Sequence, residues 1–260
     1  MHHPIEPEDL APLLGRAADW LRHARRVAVL TGAGVSAESG VSTFRDNGGL
    51  WEKHRVEDVA TPSAFRRDPA LVWRFYNARR ANLRAVKPNP GHFALAELER
   101  HLGPGRFTLI TQNVDRLHQA AGSRNVLELH GDLLRVRCTG CGRVEDRGLG
   151  PLDDLPCCAE CGELLRPNVV WFEEPLPPGV WEAAEAATAA SDAFLVVGTS
   201  AVVYPAAGLI DTARAAGARV IEANVERTPA SQLAHVGLYG RSGEVLPQLV
   251  RRVVAGEPPA

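Results

Sequence analysis

Two apolar runs, each followed at once by a glycine-containing turn, constrain the fold of this chain more than any other feature. Residues 27–30 precede Thr31-Gly32, and residues 193–197 precede Gly198-Thr199-Ser200. Runs without polar alternation are typical of strands buried on both faces of a parallel sheet. The rest of the chain alternates weaker runs at 107–110 and 219–222 with helical segments at 90–102, 180–190 and 206–216. This alternation predicts an α/β fold with a Rossmann-like, doubly wound parallel sheet.

Two stretches interrupt the alternation. Residues 50–88 are Arg-rich, and Asp68-Pro69 and Pro88 predict the start and the stop of a helix within them. Residues 136–167 contain all the cysteines and few core residues. We expect one domain over 1–260, with a Rossmann-like part at about 20–49, 89–135 and 168–253. A smaller lobe would combine the helical insertion 50–88 with the cysteine insertion 136–167. Prolines in 1–15 and 254–260 predict loosely held ends.

Composition and charge exclude several classes of protein. With 45% hydrophobic and 23% charged residues, the chain is not disordered as a whole, and a net charge of −2 argues against nucleic acid as a partner. No run approaches the ~18 apolar residues of a membrane helix, so no membrane partner is expected. The N-terminal segment carries acids where an export signal needs cations, and the clustered cysteines suit a reducing compartment. We therefore expect a cytoplasmic protein.

The first glycine turn has the spacing of a nucleotide-binding loop. Residues 32–37 fit G-x-G-x-x-A, in which glycines let backbone N–H groups approach a pyrophosphate at a helix N-terminus. Packing alone also selects glycine at such turns, so both explanations stay open. Residues 39–42 are expected to end the helix after one turn, and no acidic residue ends a strand about 20 residues on. Both features disfavour a hydride-transferring dehydrogenase.

The cysteines have the spacing of a metal site. Cys138-x-x-Cys141 and Cys158-x-x-Cys161 can close a tetrahedron of thiolates around Zn²⁺, which leaves no open position for a substrate. The role is therefore structural. Cys157 is a possible alternative ligand, but only Cys158 gives the two-residue spacing with Cys161. A nucleic-acid-binding ribbon is disfavoured because the knuckles contain few cations and no aromatic residues.

Polar residues follow other predicted strands, where open α/β sheets place their ligands. Gln112, Asn113 and Asp115 follow the strand at 107–110, and His130 follows a short strand at 127–129. Such groups can orient an amide, hold a ribose and move a proton, although a strand-end histidine is often only structural. Tyr76 and Arg79 share a helix face and could clamp a carboxylate, or could simply pack there. Arg80, the next residue, points away from the helix face that Tyr76 and Arg79 share, and is a poorer candidate.

These segments, in this order, resemble the sirtuin family over about residues 20–250. The segments that carry the resemblance are GAGVSAESGVSTFR (32–45), TQNVDRLH (111–118), ELHG (128–131), the two cysteine pairs, LLRPNVVWFEE (164–174), VVGTSAVVYPAA (196–207) and EANVERT (222–228). The resemblance implies NAD⁺-dependent removal of acyl groups from the lysine side chains of proteins, with release of nicotinamide and an O-acyl-ADP-ribose.

The resemblance also implies site residues. The cofactor-binding positions are Gly32, Ala33, Gly34, Ser36, Thr43, Phe44, Arg45, Gln112, Asn113, Asp115, Gly198, Thr199, Ser200, Asn224 and Glu226. The catalytic positions are His130, Asn113 and Asp115. In the family's mechanism the acyl oxygen attacks C1′ of the ribose as nicotinamide leaves. A histidine, here His130, then acts as general base on a ribose hydroxyl, a reaction that suits imidazole at neutral pH.

The implied substrate positions are Ala37, Tyr76, Arg79, His130, Val169, Val170, Trp171, Phe172 and Val202. Residues 169–172 and 201–204 resemble two flanks between which an acyl-lysine peptide lies as an added strand. Ala37, Tyr76 and Arg79 resemble the subgroup that removes succinyl, malonyl and glutaryl groups, where alanine leaves room and the Tyr/Arg pair receives the acyl carboxylate. Three departures from the family are Glu173 for a common glycine, Ser42 for a common proline, and the extra Cys157.

Three alternatives remain open at this stage. One is mono-ADP-ribosyl transfer to a protein acceptor. A second is plain deacetylation, in which Tyr76 and Arg79 are only structural. The third is a non-enzymatic module that binds a partner through the zinc ribbon, although such a module would not need the set Asn113, Asp115 and His130.

Overall fold

The structure is a computed structural model that describes residues 10–41, 50–51 and 54–256. Its strands are β1 Val27–Thr31, β2 Leu50–Trp51, β3 His54–Arg55, β4 Phe107–Thr111, β5 Val126–Glu128, β6 Gly131–Cys138, β7 Val144–Asp146, β8 Leu165–Val169, β9 Ala193–Val197, β10 Arg219–Asn224 and β11 Val236–Tyr239. Its α-helices are α1 Leu10–His23, α2 Gly34–Ala37, α3 Val56–Val59, α4 Pro62–Arg67, α5 Pro69–Leu83, α6 Pro90–Leu102, α7 Leu117–Ala120, α8 Pro178–Ala189, α9 Gly208–Ala215 and α10 Ser242–Ala255.

The main sheet has six parallel strands in the order β11-β10-β9-β1-β4-β5. The chain first builds outward from β1 through β4 to β5, and then returns to β9 and builds outward on the other side. The strand order therefore reverses between the neighbouring strands β1 and β9. In doubly wound sheets a crevice opens at such a point, at the carboxyl ends of the strands. The predicted Rossmann-like fold is confirmed.

Helices cover both faces of this sheet. Val27 and Val29 point into a core shared with α1, α6 and α10, whereas Ala28 and Leu30 point into a second core shared with α8 and α9. Every residue of β1 is buried. This double burial explains why the strand appears in the sequence as an unbroken apolar run.

A smaller lobe has its own sheet and core. Strands β7-β6-β8 form an antiparallel sheet, and side chains such as Phe65, Trp73 and Leu133 pack between it and helices α3–α5. The predicted boundaries at 135/136 and 167/168 each fall inside a strand of this sheet. Two expectations are corrected. Strands β2 and β3 pair antiparallel at the start of the segment predicted to be helical, and the cysteine insertion contributes Val136, Cys138, Cys158 and Leu165 to the core.

Residues 10–15 and 254–255, near the two ends of the described chain, are held more firmly than the prolines predict. Helix α1 starts at Leu10, and its residues Leu14, Ala17 and Leu21 are buried against the sheet. The expectation of a loose segment over 1–15 is therefore wrong for 10–15, because apolar residues at helical spacing bury one face of α1. Helix α10 likewise runs to Ala255. Among the residues described, no helix combines the length and the apolar content needed to cross a membrane.

Helix α5 carries the predicted Tyr/Arg pair. The Asp68 side chain caps its N-terminus by accepting from the N–H of Leu71 at 2.9 Å, and Pro69 occupies the first turn, as predicted. Arg80 is buried and donates to the carbonyls of Leu133, Gly148 and Gly150 at 2.7, 2.7 and 3.0 Å. Arg80 thus fastens α5 to the cysteine insertion and is not available to a ligand.

Candidate active site

The carboxyl ends of the central strands meet at the point where the sheet changes direction. The N–H of Gln112, after β4, donates to the Thr31 carbonyl at 3.0 Å, and the N–H of Gly32, after β1, donates to the Val197 carbonyl at 3.0 Å. The N–H of Gly198 in turn donates to the Ala223 carbonyl of β10 at 3.0 Å. These bonds bring the predicted site segments after β1, β4, β9 and β10 into one crevice.

The first glycine turn packs closely against the turn after β9. The N–H of Gly34 donates to the Gly198 carbonyl at 2.7 Å, and a Cβ at Gly34 would lie only 2.7 Å from that oxygen. Helix α2 is a single turn of four residues, as predicted, while Ala33 and Ala37 are exposed beside it. Close packing of the two turns therefore requires a glycine at position 34. The exposed alanines border the crevice.

A hydrogen-bond network joins the first turn to the residues after β4. The Asn113 amide donates to the Gly32 carbonyl at 3.0 Å and to the Ser36 hydroxyl at 3.1 Å. The Asp115 carboxylate accepts from the N–H of Leu117 at 2.9 Å. Burial raises the pKa of Asp115, although hydrogen bonds from Leu117 and Ser36 and the charge of Arg79 oppose this rise. The predicted residues Asn113 and Asp115 thus share one network around Ser36.

His130 is fixed in one tautomer by the backbone. Its Nδ1 lies 3.0 Å from the Gln112 carbonyl oxygen, which can only accept, so Nδ1 carries the proton and Nε2 is free to accept one. Burial lowers the pKa of His130, and the bond to Gln112 opposes this effect only in part. The ring is therefore neutral at pH 7 and can act there as a base.

Two further histidines lie beneath the site and were not predicted. The rings of His92 and His118 are buried with centroids 4.8 Å apart. His92 Nε2 lies 3.3 Å from the Ser36 hydroxyl, and His118 Nε2 lies 3.0 Å from that of Thr31. Burial lowers the pKa of His92 to about 4, and burial together with the neighbouring His92 lowers that of His118 to about 3. Both rings are neutral supports for the strand ends.

This buried pair predicts a loss of stability in acid. Since both folded-state pKa values lie below the ordinary 6.5, the unfolded chain binds more protons below pH 6.5. The contribution of the two rings to stability is fully present above pH 6.5 and is lost as the pH decreases toward about 4 for His92 and about 3 for His118. The two rings together should lower the free energy of unfolding by about 4 kcal/mol between pH 7 and pH 5. Chemical unfolding at both pH values measures the loss.

Variants isolate the contribution of the two rings. His92→Gln and His118→Gln should each remove about half of the difference between pH 7 and pH 5. His101→Gln, at an exposed position near the end of α6, is the control and should leave the difference intact. If both buried variants lost as much stability in acid as the unchanged protein, the histidine pair would not be its source.

The residues after β9 and β10 form the other half of the crevice. The Asn224 amide donates to the Thr199 carbonyl at 2.8 Å, and the Gln112 amide donates to the Thr199 hydroxyl at 3.0 Å. Ser200 is partly exposed beside them, and Glu226 is exposed. Sequence reasoning missed Glu222, a buried carboxylate on β10 that accepts from three hydroxyls, those of Thr228, Ser231 and Tyr239. These bonds hold the loop that carries Glu226.

Tyr76 and Arg79 lie side by side on α5, as their spacing predicts. The guanidinium carbon of Arg79 is 5.8 Å from the centre of the Tyr76 ring. Burial raises the pKa of Tyr76 to about 12 despite the opposing charge of Arg79, so the phenol keeps its proton at every physiological pH. The charge of Arg79 also acts on Asp115. The guanidinium of Arg79 is therefore within electrostatic range of the network around Ser36.

The segment after β8 has an exposed and a buried side. The N–H of Val170 donates to the His130 carbonyl at 2.9 Å, while Val169 is buried at the end of β8. Trp171 is buried against α5, whereas Phe172 is 50% exposed. Val202, in the segment after β9, is 59% exposed. Glu173 adopts φ 71°, a left-handed conformation that a glycine, the residue expected there from the family resemblance, would adopt without strain.

The four predicted cysteines form a compact cluster. The Sγ atoms of Cys138, Cys141, Cys158 and Cys161 all lie within 4.8 Å of one another, with separations of 3.4 Å for Cys138–Cys161 and 3.8 Å for Cys141–Cys158. Tetrahedral Zn²⁺ with Zn–S bonds of about 2.3 Å places its sulfurs about 3.8 Å apart. The cluster therefore fits one structural Zn²⁺. Cys157 is exposed and lies outside it, as the spacing predicts.

Three predicted cofactor residues, Thr43, Phe44 and Arg45, lie outside the described residues. The structure brings the remaining predicted site residues of the four central strands to one crevice, and the charge of Arg79 on α5 acts on Asp115 there. The zinc cluster is placed apart from them, in the smaller lobe.

Comparisons with known proteins agree with this geometry. The model of the Sir2 family matches residues 32–205. A protein named NAD-dependent protein deacylase 2 from Pyrobaculum aerophilum is 55% identical over 239 residues, which cover 91% of this chain and 94% of that protein. A solved Sir2 homologue in complex with NAD is 43% identical with a TM-score of 0.87, over 98% of this chain and 97% of that one.

A second solved structure shows a Sir2 protein bound to a myristoylated histone peptide. It is 39% identical with a TM-score of 0.74, and the match covers 93% of this chain and 96% of that one. The family model spans more than half of the chain, and the relatives match it over nearly their full length. The chain is therefore a member of the Sir2 family of NAD-dependent protein deacylases.

Proposed function

We propose that this enzyme removes acidic acyl groups, succinyl and malonyl, from protein lysine in preference to acetyl, which it also removes. The observation that carries the proposal is the pair Tyr76 and Arg79 on α5. A protonated phenol and a guanidinium lie side by side, and the charge of the guanidinium acts on Asp115 in the network around Ser36. An acyl carboxylate would be costly in an apolar channel, but it is matched here by a cation and a hydrogen-bond donor.

The crevice at the strand ends would hold the dinucleotide. We assign the nicotinamide and its ribose to the side of Gln112, Asn113 and Asp115, and the adenosine half to the side of Thr199, Ser200, Asn224 and Glu226. The polar groups of this crevice support the assignment, since amides, hydroxyls and a carboxylate suit a polar cofactor with two riboses. Bound NAD⁺ supplies the ribose carbon that accepts the acyl oxygen as nicotinamide leaves.

His130 would act as the general base. Its Nδ1 proton is held by the Gln112 carbonyl, so Nε2 can take the proton of a ribose hydroxyl. Asn113 is fixed by Gly32 and Ser36 and can orient the nicotinamide ribose without rearrangement. The exposed residues Phe172 and Val202 flank the crevice, where an acyl-lysine peptide would lie as an added strand.

The cysteine cluster of the smaller lobe would support the fold of the enzyme and take no part in the reaction. We propose a single catalytic domain whose smaller lobe is stabilised by Zn²⁺ on the four cysteines. The closed ligand set leaves no coordination position for the reaction. Thiolate ligation of this kind supports a reducing, cytoplasmic setting.

One assay tests the proposal. Matched peptides that carry acetyl-, succinyl- or myristoyl-lysine are supplied with NAD⁺, and nicotinamide release is measured with mass spectrometry of the products. A higher kcat/KM for the succinyl peptide and an O-succinyl-ADP-ribose product are expected. Preference for the acetyl or myristoyl peptide would make Tyr76 and Arg79 structural. ADP-ribose attached covalently to protein, without deacylation, would favour the transferase alternative.

A further inference from the structure

We propose that Trp171 is a specificity-determining residue that acts through Tyr76. Its indole N–H holds the Tyr76 hydroxyl so that the hydroxyl proton is directed to the carboxylate of an acidic acyl group. The inference rests on the proposed preference for succinyl- and malonyl-lysine. It gives Trp171 a positioning role in place of direct contact with the substrate side chain.

The direction of the Trp171–Tyr76 hydrogen bond carries the argument. Trp171 Nε1 lies 2.9 Å from the Tyr76 hydroxyl oxygen, and an indole nitrogen can only donate. The phenol oxygen is therefore the acceptor, and its own proton remains for a second partner. Within the described part of the chain, the Tyr76 hydroxyl makes no other hydrogen bond. A buried donor without an acceptor is unfavourable, and a ligand carboxylate beside Arg79 would remove that cost.

Trp171 is itself fixed before any ligand binds. The Arg166 guanidinium stacks 3.4 Å from the centre of the indole ring, and the Phe65 ring lies 5.3 Å away. Glu174 binds Arg166 through two hydrogen bonds of 2.6 and 2.8 Å and accepts from the backbone N–H of Trp171 at 2.9 Å. This packing holds the indole in one orientation, so the donor that meets Tyr76 is preorganised.

The bond also strengthens Tyr76 as a donor. A hydroxyl whose oxygen accepts a hydrogen bond is polarised and donates more strongly to its own partner. Loss of the indole N–H should therefore weaken recognition of an acyl carboxylate. It should matter much less for acetyl, which has no carboxylate. The property to measure is the ratio of succinyl to acetyl kcat/KM, because a general disturbance of folding lowers both values and leaves the ratio unchanged.

The test removes the donor with minimal change of shape. Trp171 is replaced by Phe and, in a second protein, by β-(benzothiophen-3-yl)alanine, in which sulfur replaces the indole N–H. Both proteins should lose about tenfold in kcat/KM for the succinyl peptide, the scale of one hydrogen bond. Their kcat/KM for the acetyl peptide should fall by no more than about threefold. Thermal unfolding and zinc content are measured on the same samples.

Trp73 supplies a matched control. It is also a fully buried indole of the smaller lobe, but its N–H donates to the Leu165 carbonyl at 2.8 Å and not to the Tyr76 hydroxyl. The same two replacements at Trp73 should lower stability and leave the succinyl/acetyl ratio unchanged. In a Tyr76→Phe background the Trp171 replacements should not change the ratio further, because the group through which Trp171 acts is gone.

The outcomes separate this inference from the proposed function. If Tyr76→Phe lowers the ratio and the Trp171 replacements do not, the positioning role is wrong and the acyl preference stands. If the Trp73 replacements lower the ratio equally, or if the Trp171 effect persists without the Tyr76 hydroxyl, the positioning role is also wrong. If neither Tyr76→Phe nor Arg79→Met changes the ratio, the proposed preference and this inference both fall.

Discussion

Replacing His130 with alanine is expected to lower the formation of deacylated lysine about 1000-fold, within the range typical for loss of a general base. The physical reason is the tautomer that the backbone imposes. With Nδ1 bonded to the Gln112 carbonyl, Nε2 is the one ring atom able to take a ribose hydroxyl proton. Burial lowers the pKa of His130, so its ring is neutral and available as a base at pH 7. Steady-state assays of succinyl and acetyl peptides measure the loss.

A second readout distinguishes a catalytic role for His130 from a structural one. In the proposed sequence the base acts after nicotinamide has left, so the alanine variant should still exchange free nicotinamide into NAD⁺ in the presence of an acyl peptide. His101→Ala, at an exposed position on α6, is the control and should keep full activity. A His130→Ala enzyme that retained a tenth or more of its deacylation would contradict the assignment. Loss of exchange together with deacylation would indicate a structural role.

The main sheet could be predicted from the sequence because its strands are buried on both faces. Strands β1 and β9 are fully buried, and their apolar runs and glycine turns are local features. The edge strand β11 was not predicted, because it has only four residues and they alternate between buried and partly exposed. Helix α1 was missed because prolines near its start suggested a loose end, although its apolar spacing contains the signal. The lobe boundaries were misplaced because β6 and β8 continue across them.

The residues proposed for the active site were easier to predict than the residues that support them. Gln112, Asn113, Asp115 and His130 follow strands, and strand ends meet at one edge of a parallel sheet by topology alone. His92 and His118 gave no such signal, because their bonds to Ser36 and Thr31 join residues 56 and 87 positions apart. The contact of Trp171 with Tyr76 spans 95 positions and depends on how the smaller lobe folds. Spacing alone placed the four zinc ligands, since each pair is a local motif.

Replacing Arg79 with methionine is expected to lower kcat/KM for the succinyl peptide at least about 100-fold, the scale of a lost charge-assisted contact of about 3 kcal/mol. Methionine keeps much of the side-chain length and removes the charge and the donors. The acyl carboxylate would then be left beside Tyr76 without a cation, in a setting where an unpaired charge is costly. Deacetylation should fall far less, because acetyl has no carboxylate to lose. Paired assays on the two peptides measure the difference.

Two further variants separate recognition from electrostatics, since the charge of Arg79 also lowers the pKa of Asp115. Arg79→Lys keeps the charge but cannot form a bidentate pair, so it should restore deacetylation fully and desuccinylation only in part. Arg74→Met, at an exposed position of the same helix, should change neither activity. Equal losses on both peptides for Arg79→Met, with equal recovery for Arg79→Lys, would mean that Arg79 serves Asp115 alone. The preference for acidic acyl groups would then need another source.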